Sequence, residues 1–206
     1  MKKTTETELK LAVPDRAVLA EIENDSVFAG CTAEALALSA RYYDFADGRL
    51  GRKRASLRFR TENGAGKVTL KTNGNSTFGV FSRTEWEVPA RDIREGVAAL
   101  CAAGASELLE NGEGELVLLT RAEFVRRELV CSYMGAELCM AFDSGWLGGE
   151  DNLFCEAEAE LVSGDPSALT ALGEYLCKKY SLVYENVSKR ARCEKYRLSH
   201  TGLRPS

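Results

Sequence analysis

The chain has 206 residues, 45% hydrophobic and 28% charged, with a formal net charge of −4 at pH 7. That describes one soluble globular domain; the acidic balance argues against a nucleic-acid partner, and no apolar run approaches the ~20 residues a membrane span needs. One histidine, His200, and seven cysteines without a Cys-x-x-Cys pair leave no pattern for serine–histidine or cysteine–histidine catalysis, a zinc site or a disulfide framework, so the chemistry falls to carboxylates, Lys, Arg and a bound metal. The start, Met1 to Glu6, carries no apolar leader, and a cytoplasmic location is expected.

In chain order, Thr4 to Val13 reads as a strand, and Pro14-Asp15 starts a helix reaching about Asn24. Residues 33–41 fit helix or strand equally. Tyr42-Tyr43-Asp44 reads as a strand end and Gly48 to Arg52 as a turn. Ala55 to Arg60 and Lys67 to Lys71 alternate as strands around the hairpin signal Asn63-Gly64-Ala65-Gly66. A loop around Asn73-Gly74-Asn75 leads to a strand in which Arg83, Glu85 and Glu87 oppose Thr84, Trp86 and Val88. Asp92 to Ala103 is a predicted helix closed by Gly104. A strand pair follows, Leu116 to Cys131 and Glu137 to Asp143, then a glutamate-rich strand from Phe154 to Val162. Asp165-Pro166-Ser167 opens a helix to about Lys179, and a last short helix carries Ser188 to Arg192. A single domain is expected over 1–198, with a disordered tail over 199–206. About eight strands joined mostly by short turns favour an α+β fold built on an antiparallel sheet closed into an eight-stranded barrel with flanking helices.

The strands share one property. Side chains at i, i+2 and i+4 lie on one face, so Glu6, Glu8 and Lys10 form a row, and so do Glu156, Glu158 and Glu160. One such strand is most often a solvated face of an open sheet. Period-two charge on every strand instead suggests that the charged faces look into a shared interior. That interior would hold the acids Glu6, Glu8, Glu85, Glu87, Asp143, Glu156, Glu158 and Glu160, and the bases Lys10, Arg58, Arg60, Lys71, Arg83, Arg126 and Lys189. Burying one unpaired charge costs several kcal/mol, so such a lumen is wet and liganded. Clustered carboxylates suit a hard divalent cation, Mg²⁺ or Mn²⁺, and clustered Arg and Lys suit phosphate oxygens. The expected ligand is a polyanion with its metal. Arg121, Glu123 and Arg127 are expected outside in solvent, Trp86 and Phe59 in a core outside the barrel, and each Cys as a small buried hydrophobe.

These residues resemble a family. Glu6-Thr-Glu8-Leu-Lys10 is similar to the ExExK signature of the CYTH superfamily, the triphosphate tunnel metalloenzymes. The likeness continues in order through Tyr42-Tyr43-Asp44, Leu57-Arg58-Phe59-Arg60, Thr69-Leu70-Lys71, Arg83-Thr-Glu85-Trp-Glu87, Phe124-Val-Arg126, Phe142-Asp143, the strand from Cys155 to Asp165, and Ser188-Lys189-Arg190-Ala191-Arg192. It covers residues 4–195 and is strongest to the bacterial inorganic triphosphatase branch. The resemblance implies an eight-stranded tunnel in which Lys10, Arg58, Arg60, Lys71, Arg83, Arg126 and Lys189 cradle a triphosphate. It implies that Glu6, Glu8, Glu156, Glu158 and Glu160 hold the metal. Glu85, Glu87 and Asp143 would hold a second metal or orient the attacking water, and with Lys10 form the catalytic set. Phe124 stands where many members carry Lys.

The implied activity is metal-dependent hydrolysis of inorganic tripolyphosphate to pyrophosphate and phosphate. The alternatives are a class IV adenylyl cyclase, a thiamine or nucleoside triphosphatase, and a non-catalytic polyphosphate-binding module. The partners expected are tripolyphosphate or a nucleoside triphosphate, with no nucleic acid and no membrane; a homodimer stays open.

Overall fold

The computed structural model describes residues 2–72, 75–77 and 80–201. Ten strands are found among them: β1 (Lys2–Val13), β2 (Glu34–Phe45), β3 (Ser56–Glu62), β4 (Ala65–Lys71), β5 (Asn75–Thr77), β6 (Val80–Pro89), β7 (Leu116–Tyr133), β8 (Ala136–Leu147), β9 (Leu153–Ser163) and β10 (Val183–Tyr184). Eight of them close an antiparallel barrel in the order β1-β9-β8-β7-β2-β3-β4-β6, with β6 pairing back onto β1. The two short extra strands lie on this wall, β10 beside β1 and β5 beside β6. The loop expected at Asn73-Gly74 falls outside the described residues.

The register explains how one face becomes the lumen. Residues directly opposite in a ladder share a face. Around the barrel the pairings run Lys10↔Glu158, Asp143↔Glu156, Arg126↔Asp143, Leu36↔Arg126, Ala40↔Arg60, Arg58↔Thr69, Thr69↔Glu87 and Arg83↔Glu6. The series returns to β1 without a change of face, so every charged row points inward. The β3–β4 hairpin turns on Asn63 and Gly64, at φ 48° and 89°, the left-handed backbone that a two-residue turn requires.

Of residues 33–41, ambiguous in sequence, 34–41 belong to β2. Its Ala and Leu residues carry little strand propensity; pairing on both sides, with β3 and β7, decides the matter. Gly48 to Arg52, expected as a turn, contains a one-turn helix, α2 (Arg49–Arg52), where the buried Asp44 carboxylate accepts from the Leu50 and Gly51 amides at 3.0 and 2.9 Å. The helix expected from Asp92 is regular only as α3 (Ile93–Leu100). A wider turn follows, Gly104 takes φ 96°, and the short α4 (Ser106–Leu109) completes the connection.

Two outer cores cover the barrel. α1 (Arg16–Glu23), capped by Asp15 at 2.9 Å from the Val18 amide, and α5 (Ser167–Tyr180) bury Leu19, Ile22, Leu169, Leu172 and Leu176 against Leu9, Leu11, Ala157 and Ala159. α5 therefore lies beside the tunnel. α3 and α4 cover Leu57, Phe59, Val68, Leu70 and Trp86, the outer core expected for Phe59 and Trp86. The third cluster is inside. α6 (Lys189–Thr201) sets Cys193 among the inward residues Leu38, Ala40, Tyr42, Phe124, Leu147 and Phe154, and so stoppers one end of the barrel. Gly145 makes room there, because a Cβ on it would lie 2.5 Å from the Phe124 Cβ. α6 continues to Thr201, past the point where a tail was expected at 199, with His200 stacked on Tyr196 at 4.0 Å. No described helix is long and apolar enough to cross a membrane.

Asp25 ties α5 to the turn after α1. Its carboxylate accepts from the Val27 amide at 2.9 Å, from Lys179 Nζ and Tyr180 OH at 2.8 Å, and from Tyr175 OH at 3.0 Å. Burial pushes this carboxyl up, but Lys179, the Val27 amide and the two phenols outweigh it and hold it well below the usual range. An Asp25→Ala variant is expected to lose at least about 2 kcal/mol, since several donors are stranded together. The chemical-denaturation midpoint measures this. A depressed carboxyl contributes its stability above the unfolded-chain value and loses it as pH falls through the folded one. The gap between wild type and variant therefore closes in acid.

Candidate functional site

The lumen holds a cavity of about 880 Å³ lined by ten Lys or Arg and nine Glu side chains. Of the residues singled out from sequence, Glu6, Glu8, Lys10, Arg58, Arg60, Lys71, Arg83, Glu85, Glu87, Arg126, Glu158, Glu160 and Lys189 line it. Asp143 and Glu156 do not; both side chains are fully buried behind the lining. Arg54, Glu62, Lys67, Glu128, Arg190 and Glu194 line it without having been singled out. Glu62 and Glu128 lie two residues along from Arg60 and Arg126, so extending the same alternation would have found them. Arg54 and the α6 residues are placed by packing, and no strand pattern points to them. Arg121 and Arg127 are exposed, as expected.

The charges fall into two zones. At the stoppered end Lys189 Nζ lies 2.9 Å from Asp143 Oδ2 and 2.8 Å from Glu158 Oε1, and contacts Glu156. It also sits 5.6 Å from the ring centroids of both Phe124 and Phe154. Arg126 grips Asp143 through two bonds of 2.8 Å and reaches Glu158 at 2.6 Å, while Arg192 pairs with Glu156. Burial pushes Lys189 and Arg126 down, but the facing carboxylates win and hold both above their usual ranges. Phe124 faces the lumen without charge and forms part of the seat for Lys189.

Toward the other end the compensation is poorer. Lys71 bridges Glu6 and Glu85 at 2.7 and 2.8 Å, and Arg83 reaches Glu6 at 3.3 Å and contacts Glu8. Glu160 stands opposite Glu8 in the β1–β9 ladder, a like-charge placement that destabilises a sheet. Partial burial, then the charges of Glu6, Glu8 and Glu85 against the pull of Lys71, push its carboxyl up to about 7. The arginines of β3 show the opposite deficit. Among the described residues, Nε of Arg58 and Nε of Arg60 are buried without a hydrogen-bond partner. Burial, then the neighbouring Arg58 and Arg126, push Arg60 down to about 10. Buried donors without acceptors are uncommon; here two lie side by side on the cavity wall.

Two groups of acids bear on a metal. Asp143, Glu156 and Glu158 offer carboxylate oxygens within 4.8 Å of one another and could bind a cation, although Lys189, Arg126 and Arg192 already balance their charge. Glu6, Glu8, Glu85 and Glu160 line the cavity with less compensation. Both sets are all-oxygen, the donor chemistry of hard divalent cations.

The raised Glu160 carboxyl has a measurable consequence. Between the ordinary glutamate value and about 7, the folded protein keeps a proton that the unfolded chain has lost, so stability falls as pH rises through that window. A Glu160→Gln variant is expected to lack this fall and to melt above wild type at pH 8 in metal-free buffer. Exposure of Glu160 keeps the effect small; melting curves from pH 5 to 8 record its sign.

The architecture is thus a closed eight-stranded antiparallel barrel around a lumen lined by both acids and bases. The CYTH domain model matches residues 4–193, and the chain belongs to that family. It is 27% identical over 189 residues to an inorganic triphosphatase from Haemophilus influenzae, covering 91% of this chain and 53% of that protein; the chain thus spans about half the length of the curated relative it matches. Among solved structures, it is similar to a putative adenylyl cyclase from Hippeastrum reported to have a dominant triphosphatase activity (21% identity, TM-score 0.66, 94% of this chain and 97% of that one). A Pyrococcus horikoshii protein (18%, TM-score 0.60, 93% and 99%) and a putative adenylate cyclase from Bacillus halodurans (18%, TM-score 0.58, 91% and 96%) share the fold.

Proposed function

We propose that the protein hydrolyses inorganic tripolyphosphate to pyrophosphate and phosphate with Mg²⁺ or Mn²⁺. The observation that carries this is the pair of buried arginine Nε groups without acceptors among the described residues, Arg58 and Arg60, in a cavity that also sets the carboxylates of Glu8 and Glu160 opposite one another. A chain of phosphates satisfies the first, and a metal riding on it satisfies the second.

Arg58, Arg60, Lys71, Arg83 and Lys10 bind the phosphate oxygens, and Arg126 meets the innermost phosphate. Glu6, Glu8, Glu158 and Glu160 would hold the metal, which would neutralise phosphate charge and lower the pKa of its water. Glu85, which Lys71 and its other partners keep ionised against the effect of burial, accepts a hydrogen bond from the attacking water and aims it at the terminal phosphorus. Arg58 and Arg60 stabilise charge that moves to the leaving pyrophosphate. Asp143 and Glu156 hold Arg126 and Lys189 in place, with their charge taken up by these cations and Arg192.

The test is phosphate release with each metal from tripolyphosphate, ATP and thiamine triphosphate in parallel, with cyclic AMP measured on the ATP sample. Preference for tripolyphosphate supports the proposal. Cyclic AMP with pyrophosphate from ATP overturns it in favour of a cyclase, and binding of tripolyphosphate without turnover overturns it in favour of a binding module.

A further inference from the structure

Arg58 differs from Arg83 and Arg126 in what holds it. Arg83 and Arg126 are gripped by carboxylates. Arg58 has no carboxylate within salt-bridge distance among the described residues, and its Nη2 donates instead to Thr69 Oγ1 at 3.3 Å. Thr69 is fully buried and its hydroxyl donates onward to Glu87 Oε2 at 3.2 Å. An arginine can only donate and an ionised carboxylate can only accept, so the single hydroxyl proton has one possible direction. Glu87 is held by Lys67 at 3.3 Å, Lys67 by Glu62 at 2.8 Å, and Glu62 pairs with Arg60. The chain of contacts leaves β3 at Arg58, crosses to β4 and β6, and returns to β3 at Arg60.

We propose that Thr69 is a positioning residue for substrate: its hydroxyl orients the Arg58 guanidinium toward the phosphate chain without neutralising it. A carboxylate at this place would occupy the fork of the guanidinium and compete with phosphate. A hydroxyl fixes direction and leaves the charge available. Glu87 then acts through Thr69 rather than on the water. The inference rests on the phosphate-binding function proposed above.

The experiment is calorimetric titration of inorganic tripolyphosphate into metal-free protein, with kcat and KM measured in Mg²⁺. Thr69→Val is expected to weaken binding about 10- to 100-fold, the effect of losing a hydrogen bond to a charged group, with the loss appearing in KM more than in kcat. Thr69→Ser restores binding to near wild type. In an Arg58→Gln background, Thr69→Val adds little, because the two residues act as one unit. Should Thr69→Val fail to fold, Thr69→Cys, a weak donor, replaces it and is expected to fall well below Thr69→Ser. If wild type binds tripolyphosphate and Thr69→Val binds it equally, or if the loss persists undiminished without Arg58, the positioning role is wrong. If wild type does not bind tripolyphosphate, the functional proposal fails first and the inference falls with it.

Discussion

A Lys189→Met variant melts about 10 °C or more below wild type, the shift expected for losing about 3–5 kcal/mol from a chain of this length. Lys189 is only 8% exposed, and its ammonium faces three carboxylates, those of Asp143 and Glu156 fully buried. Methionine fills the same space between Phe124 and Phe154, so no cavity explains the loss. What remains is the same three carboxylates with one cation fewer beside them. Lys189 is the first residue of α6, so the same contact pins the stopper in the barrel. Differential scanning calorimetry gives the shift. A variant that melts within 2 °C of wild type while losing tripolyphosphate affinity would show that Lys189 is a substrate ligand and not a pin.

The second large effect has the opposite signature. Arg58→Gln is expected to lower kcat/KM for tripolyphosphate about 10²- to 10³-fold, the range for removing one preorganised donor from a charge-stabilising site, with the melting temperature unchanged or raised. Arg58 contributes little to the fold. Its Nε lacks an acceptor, and its charge is among those that push Arg60 down to about 10. Removing an under-satisfied cation from beside Arg60 relieves repulsion in the metal-free protein. Steady-state kinetics and a melting curve on one preparation test both halves. An unfolded variant at room temperature would make Arg58 structural and remove it from the clamp.

The contrast between these two lysine and arginine positions shows how far the sequence alone reaches. Both were expected in one phosphate cradle. Period-two alternation places Arg58 in the lumen, because a strand offers only two faces and the other face is apolar; Lys189 lies on a helix, where that alternation does not apply. Alternation says nothing about depth along the tunnel, or about which opposite charge lies near. Those depend on register and on the stagger of a closed barrel. Arg58 therefore faces Thr69 on β4, while Lys189, carried in by a helix, meets Asp143, Glu156 and Glu158.

The acids divide in the same way. The row Glu156, Glu158, Glu160 is legible in sequence, yet its members differ. Glu156 is buried under Lys189 and Arg192, whereas Glu160 stands at the exposed end opposite Glu8. β2 was ambiguous because Ala and Leu suit either element, and only partners on both edges settled it. Thr69 drew no attention because a lone threonine in a strand is ordinary; its position between an arginine and a glutamate gives it a role. By itself the sequence determined the strands, which face of each carries the charges, and the hairpin at Asn63-Gly64, because period two and turn chemistry are local properties. Which charges cancel, which stay available, and that α6 rather than α5 stoppers the tunnel were decided by tertiary structure, because they are set by contacts between residues far apart in the chain.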